Sequence, residues 1–412
     1  MLKFWPFRLA TRSSKMEYQD WSKDALIEKI RQLEESSEKC TTDISGQNSA
    51  AAIKTVKKVK KELDFNNYSK RRIALKFAYL GWDYHGLAYQ KQGHKTVEGE
   101  IIKALHKTKC IQSLDPADCL FSRCGRTDAD VSAMAQVISL EVRSVIKKED
   151  HDNNELDSKE LDYVRILNSN LPPSIIFYAV CLHPPTDFDA RFSCLSRKYR
   201  YFFDPNNLQL DLDLMQKGAQ IFLGEQDFRN FCKVDGSKQI NNFKRTILKS
   251  DIVRTESGIC YFELQGTAFL WNQVRSMMAI LFLVGQKLEP LESIKQLLDV
   301  EKQPRRPVYE IAWGVPLVLY DCEYSPMDWQ IPDKVDLQRL ELERGEMLMK
   351  LNMTETMLDL ICNRTGQQDR EGKKSNKYLP LRDRQLCDLP EVINAKWLAR
   401  KVSKENATTA DK

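Results

Sequence analysis

The chain has 412 residues, with 63 Lys and Arg against 58 Asp and Glu, a net charge of +5. Hydrophobic residues make up 42% and charged residues 29%, which suits a sizeable core under a soluble surface, while so small a net charge does not by itself establish nucleic-acid binding. No apolar run approaches the ~20 residues of a membrane span, and the 11 cysteines form no CxxC pair and lie apart from the 5 histidines, which argues against zinc and for reduced thiols inside the cell.

Residues 1–70 read as an appendage. The N-terminus holds Lys3, Arg8, Arg12 and Lys15 with no acid before Glu17, the composition either of a mitochondrial presequence or of a plain basic arm. Nucleus and cytoplasm are the expected compartments, with the mitochondrion left open by this segment. Leu26, Ile27, Ile30 and Leu33 share one face of a short helix over Ala25–Leu33. Residues 36–52 have the composition of a linker. The run Lys54–Asp64, followed by Lys70, Arg71 and Arg72, is either a solvated basic stretch or a source of phosphate contacts.

The folded part begins at Arg72, where Ile73, Leu75, Phe77 and Tyr79 alternate along a strand that ends at Gly81. Thr96–Lys109 reads as a helix with Ile101, Ile102 and Leu105 inward, and Gln136–Arg143 as a second strand. Residues 147–160 are so polar that they are expected to form a surface insertion without packing. A helix over Tyr163–Leu171 should stop before Pro172 and Pro173.

The second half is predicted to contain strands at Phe177–Cys181, Lys198–Phe203, Arg245–Arg254, Cys260–Leu264 and Val315–Tyr320. Its helices are expected at Leu212–Leu223, Asn272–Gln286 and Leu291–Leu298. Short alternating strands with helices between some of them indicate an α+β fold with a mostly antiparallel sheet. The expected division is an appendage at 1–70, catalytic halves at 71–175 and 176–330, and a charged helical extension at 331–412. Both ends are expected to be partly disordered.

Three segments carry chemistry. In SRCGRTDADVSAMAQ (Ser122–Gln136), Gly125 and Thr127 favour a tight turn that presents Asp128 beside Arg126. A positioned, ionised Asp is a covalent nucleophile, and the plainer reading is a turn Asp bonding its own backbone. In Asp187–Phe203, the cations Arg191, Arg197, Lys198 and Arg200 interleave with aromatics. That mixture offers phosphate contacts and base stacking to single-stranded RNA, or else a core strand with basic residues reaching out. Within it Tyr199, Tyr201 and Phe203 share one strand face, and Arg200 and Phe202 the other.

In Gly266–Gln286, Met277–Val284 is apolar all round, which marks a buried helix. Arg275 at its start needs an anionic partner, for which Asp128 is a candidate, unless it reaches solvent at the helix end. Asp128 and Asp130 as a metal-binding pair lack further ligands at calcium-loop spacing, and no Walker-type or GxGxxG glycine pattern implies ATP or NAD.

At these residues the chain resembles the TruA-type tRNA pseudouridine synthases. GRTD at Gly125–Asp128, ARFS at Ala190–Ser193, RKYRY at Arg197–Tyr201 and GTAFLWNQVR at Gly266–Arg275 occur in the family's order and approximate spacing. The details of Asp227–Lys233 and of PLVLYDCEY place it nearest the eukaryotic branch acting at uridines 38 and 39 of the tRNA anticodon arm. The likeness covers about residues 70–330, with a weaker echo at Lys377–Arg384.

The resemblance implies two α/β halves joining mostly antiparallel sheets around a basic catalytic cleft, commonly in a homodimer. Its partner is tRNA, and it needs no metal or cofactor. It makes Asp128 the nucleophile, attacking the uridine at the base or at the sugar C1′, after which uracil turns and C5 rejoins the ribose. Tyr199 would stack on the target base or help remove the C5 proton, Arg126 would fill the place of the flipped nucleotide, and Arg275 would pair with Asp128. Arg191, Arg197, Lys198 and Arg200 would bind the substrate.

One departure stands out. Where the family has Asp-x-Gly-Val, this chain has Asp128-Ala129-Asp130-Val131. Asp is among the better replacements for a glycine at positive φ, but it adds a second carboxylate beside the first. A second reading therefore keeps the RNA cleft and weakens turnover.

Overall fold

A computed structural model describes residues 63–90, 92–206, 208–332, 337–364 and 378–410. The N-terminal basic segment, the expected helix at Ala25–Leu33, all but the last two residues of Lys54–Asp64 and the polar stretch 365–377 lie outside the described residues.

The described chain is organised on a nine-stranded sheet: β1 (Ser69–Tyr79), β2 (Ser122–Arg123), β3 (Ser132–Ser144), β4 (Ile175–Cys181), β5 (Ser196–Phe203), β6 (Gly224–Asp227), β7 (Lys244–Arg254), β8 (Cys260–Gly266) and β9 (Leu317–Glu323). Their order is β4-β1-β3-β9-β5-β8-β7-β6, with β2 added on β3. All ladders are antiparallel except β3 with β9, where Ser132 meets Val318 and Ala133 meets Leu319. The result is an α+β fold with one mostly antiparallel sheet flanked by helices. The last strand in the chain, β9, sits in the middle and joins the two halves. β4 pairs with β1 at the far edge, although the expected boundary at residue 175/176 puts it with the second half.

Alternation explains most of these strands. Ile73, Leu75, Phe77 and Tyr79 are buried, and in the β1–β3 ladder Ile73 lies opposite Leu140 and Leu75 opposite Ile138. β3 is buried without a break from Ala135 to Leu140, so both its faces are covered there, and the buried run includes the polar Gln136 and Ser139.

Helix α1 (Val97–Lys107) starts where the Thr96 hydroxyl accepts the Gly99 N–H. Glu98 and Glu100 in its first turn and His106 and Lys107 in its last suit the helix dipole. α2 (Tyr163–Asn168) ends three residues before the predicted Leu171, its last turn closed by Ser169 N–H on Arg165 O. In the second half α3 (Leu212–Gln220), α4 (Gln273–Gly285) and α5 (Glu292–Leu298) cover one face. α4 lies against β5, with the rings of Tyr201 and Phe203 meeting Phe282 edge-on at 5.9 and 5.7 Å. α3 closes its other side: a Cβ at Gly218 would stand 3.0 Å from Leu281 Cδ2. A helix packed on two sides has no solvent stripe, which is why α4 is apolar around its circumference.

The polar segment 147–160 does not stay free of the body. Its C-terminal end docks on β1 because its acids find a buried cation. Arg71, only 3% exposed, donates to Glu160 at 3.3 Å and to Asp157 at 3.2 Å, and Glu160 is 1% exposed. Arg72 donates to the Phe188 carbonyl. Of the basic triplet 70–72, Lys70 alone is exposed.

The C-terminal extension contains α6 (Leu337–Arg364) and α7 (Pro390–Ala410). Before α7, Tyr378 Oη and Leu381 N both donate to Glu289 Oε1 at 2.7 Å, and Leu386 bridges Pro307. The echo at Lys377–Arg384 is thus part of the packed body from Tyr378 onward. Among the described residues no helix is long and apolar enough to cross a membrane.

Candidate active site

The loop between β2 and β3 is pinned by backbone bonds on every side. Cys124 N donates to Val137 O at 2.8 Å, and the buried Gln136 amide donates to Gly125 O at 2.9 Å. Thr127 O accepts Leu87 N, and its hydroxyl meets Tyr79 Oη at 2.7 Å. Asp128 O accepts Val131 N, which closes a turn whose third residue, Asp130, has φ of +67°. That is the conformation a glycine adopts most easily, and Asp tolerates it better than most residues. Opposite the turn, Gly314 comes so close that a Cβ there would lie 2.8 Å from Ala129 O.

This turn delivers the Asp128 carboxylate to the N-terminus of α4. Asn272 Nδ2 donates to Asp128 Oδ2 at 2.5 Å, and Arg275 Nη1 stands 3.6 Å from the same oxygen. The guanidinium is oriented by Nε donating to Ala312 O at 2.7 Å. Both partners act on Oδ2, so Oδ1 has no partner among the described residues. The carboxyl side chain is 26% exposed and Arg275 16%. The N-terminal end of a helix further favours negative charge here.

Asn272 is the residue the sequence reading missed. It occupies the N-cap of α4 with φ of +60° and does not cap its own helix, while Gln273 Oε1 accepts the N–H of Leu270, which precedes the helix. An N-cap Asn ordinarily satisfies the helix behind it. This one breaks that rule and reaches Asp128, 144 residues earlier in the chain. The available signal was Asn272 itself, an excellent cap residue three positions before Arg275.

One row of residues crosses four strands on the face of Tyr199: Tyr79 opposite Ala133, Ala133 opposite Leu319, Leu319 opposite Tyr199. Ala133 is the small member between two tyrosines. Tyr199 is buried and meets Phe269 edge-on at 5.1 Å. Burial pushes the Tyr199 hydroxyl well above the ordinary phenol value, so it is a neutral phenol, and Tyr79 is held likewise.

The remaining sequence-predicted cations divide between the two faces. Arg197 shares the face of Tyr199 and clamps three loops: it donates to Cys124 O at 2.9 Å, Arg191 O at 2.8 Å and Thr267 O at 2.7 Å. Beneath it Cys124 Sγ lies 3.4 Å from Cys194 Sγ and 3.2 Å from Cys322 Sγ, which packs the same loops onto β9. Arg126 and Arg191 are exposed. Lys198 and Arg200 alternate to the opposite face. Lys198 lines a cavity of about 450 Å³ with Lys76, Asp321, Glu323 and Trp329. Arg200 pairs with Glu263 at 2.9 Å and lies over the Tyr320 ring at 3.5 Å. The structure therefore brings Asp128, Arg275 and the Tyr199 and Arg197 face together and puts Lys198 and Arg200 elsewhere.

A mostly antiparallel α+β sheet with a turn carboxylate held at a helix start defines a catalytic fold of the pseudouridine synthase class. Comparison with known proteins agrees. Residues 219–325 match the family model for tRNA pseudouridine synthase. The chain is 44% identical to the tRNA pseudouridine(38/39) synthase of Saccharomyces cerevisiae, over 94% of this chain and 93% of that one. It is 36% identical to the human protein of the same name, over 90% and 87%. It is also 33% identical to tRNA pseudouridine synthase A of Methanococcoides burtonii, over 63% and 85%. The chain belongs to the tRNA pseudouridine synthase family, isomerases whose substrate is tRNA.

Proposed function

We propose that this chain isomerises uridine to pseudouridine at positions 38 and 39 of the tRNA anticodon arm, with Asp128 as the nucleophile. The observation that carries the assignment to Asp128 is its one-sided support: the Asn272 amide donates to Oδ2, Arg275 pairs with the same oxygen at 3.6 Å, and Oδ1 is left free toward a partly open site. The positions come from the relatives that cover nearly the whole chain. Asp128 attacks the flipped uridine at the base or at C1′, the N1–C1′ bond breaks and the uracil turns, C5 bonds to C1′ as the bond to Asp128 is released, and the proton that leaves C5 is matched by one taken up at N1. Arg275 and Asn272 hold the carboxylate oriented for attack. Tyr199 supplies an aromatic floor for the base, and its neutral state favours stacking over proton removal. Exposed Arg126 is free to occupy the space the flipped nucleotide leaves, and Arg191 to meet phosphate in the cleft.

Unmodified tRNA incubated with wild type and Asp128→Ala, followed by chemical mapping of pseudouridine, tests this reading. Product at 38 and 39 with wild type and none with Asp128→Ala is expected; equal product from both would remove Asp128 from its role. Asp130 takes the left-handed conformation with φ of +67°, which Asp tolerates better than most residues, so the turn that presents Asp128 is kept without the glycine.

The reading includes a homodimer. Its support is α6, where Met349, Met353 and Met357 are all more than half exposed and lie along one helix face, an apolar stripe that a partner would cover. A solution mass of two chains by light scattering is expected, and a single-chain mass would reject it.

A further inference from the structure

Two tryptophans stand beside the groups that hold Asp128, and the reaction as described uses neither. Trp313 is 65% exposed. On one side of it, Ala312 exchanges backbone and side-chain bonds with Arg275, N–H to Arg275 O at 3.1 Å and O from Arg275 Nε at 2.7 Å. On its other side Gly314 presses on Ala129 and Asp130. The backbone of Trp313 is thus fixed from both ends against the catalytic turn while its indole stays in solvent. Trp271, 49% exposed, directly precedes Asn272, and its carbonyl is held by Lys233 N at 3.1 Å.

Single exposed apolar residues are ordinary on protein surfaces. Here two of the largest side chains lie on separate segments of chain, Trp271 one residue from Asn272 and Trp313 one residue from Ala312, whose carbonyl orients Arg275. A nucleotide flipped toward Asp128 leaves its neighbours without a stacking face, and a rigidly mounted indole is the side chain that restores one. We propose that Trp313, seconded by Trp271, is a stacking platform for an unpaired base adjacent to the target uridine. This inference rests on the proposed tRNA substrate and adds a binding subsite to it. Stacking on any base face makes the platform tolerant of sequence, which fits a site that serves two neighbouring positions in many tRNAs.

The test measures binding of an anticodon stem-loop to the full chain carrying Asp128→Ala, alone and with Trp313→Ala or Trp313→Phe added. A second RNA has abasic nucleotides on both sides of the target uridine. Trp313→Ala should weaken binding of the intact loop by about tenfold, and Trp313→Phe by less than about threefold. The unaltered Trp313 protein should lose a similar factor on the abasic loop, where Trp313→Ala adds little further loss. The inference is overturned if Trp313→Ala binds the intact loop within about threefold of its parent, or loses the same factor on both RNAs. Should Trp313→Ala fail to fold, the intact-against-abasic ratio of the parent decides the matter by itself, a ratio near one being the overturning result. Pseudouridine formation by wild type on the intact loop is scored separately. Its absence would reject the proposed function, whereas the binding ratios would still judge the platform.

Discussion

Replacing Asn272 by glycine removes the amide that donates to Asp128 Oδ2 while leaving the backbone at ease, since glycine adopts φ of +60° without strain. Alanine would mix two effects, because a Cβ in the left-handed region costs about 1–2 kcal/mol of its own. Attack needs the carboxylate held in line, and losing a positioning contact worth about 1.5–3 kcal/mol lowers the rate about 10- to 150-fold. Arg275 does not make up the difference. Its nitrogen is 3.6 Å away, the pair is partly open to solvent, and such pairs contribute about 1 kcal/mol or less. Single-turnover conversion of a tRNA transcript should therefore slow by one to two orders of magnitude, with tRNA affinity within about threefold of wild type. Asn272→Asp should be slower still, because it sets a second carboxylate against the first. Thermal melting confirms that both variants fold. A rate for Asn272→Gly within about threefold of wild type would refute the view that this amide positions the nucleophile.

At position 130, Asp130→Gly relieves the positive φ and removes one carboxylate from the site. Its stability should stay within about 1 kcal/mol of wild type, with activity equal to or above it; a loss of activity beyond tenfold would show that Asp130 works in the site. Arg71→Met leaves Glu160 and Asp157 buried without their cation and should cost about 3–5 kcal/mol in urea unfolding, and a change under 1 kcal/mol would show that the docked insertion is inessential. Burial alone would raise the Glu160 carboxyl, but bonds from Ser144, Leu161 N, Val145 N and Arg71 outweigh it and hold the folded value below the ordinary 4.5. A depressed folded value contributes stability above about pH 4.5 and loses it as pH falls through that folded value. The melting-temperature gap between wild type and Glu160→Gln should therefore be constant above pH 5 and shrink on acidification, and a gap that widens would contradict the assignment. Burial raises Tyr199, so wild type and Tyr199→Phe should show the same phenolic absorbance change up to pH 11; a smaller change in the variant would mean that Tyr199 ionises in that range.

Much of the fold could be read along the chain because its signals are local. The alternation of Ile73 to Tyr79 and of Tyr199 to Phe203, and the all-round apolar surface of Met277 to Val284, follow from the periods of strand and helix. The tight turn expected from Gly125 and Thr127 falls instead at Asp128–Val131, around the positive φ of Asp130, while Arg275 at the head of a buried helix already called for an anionic partner. Partnerships across long separations were beyond that reading. Nothing local indicates that β9 lies parallel to β3 in the middle of the sheet, or that the acids of 147–160 meet Arg71. Alternation separated Tyr199 from Lys198 and Arg200, but which face holds the site depends on where α4 packs, so cations of similar appearance went to different places. Asn272 reads as a helix cap until its backbone turns left-handed and carries the amide to Asp128. Short-range geometry thus set the elements and the segment that carries the nucleophile. Only packing, which brings residues 128, 272 and 313 to one place, decided what surrounds the nucleophile.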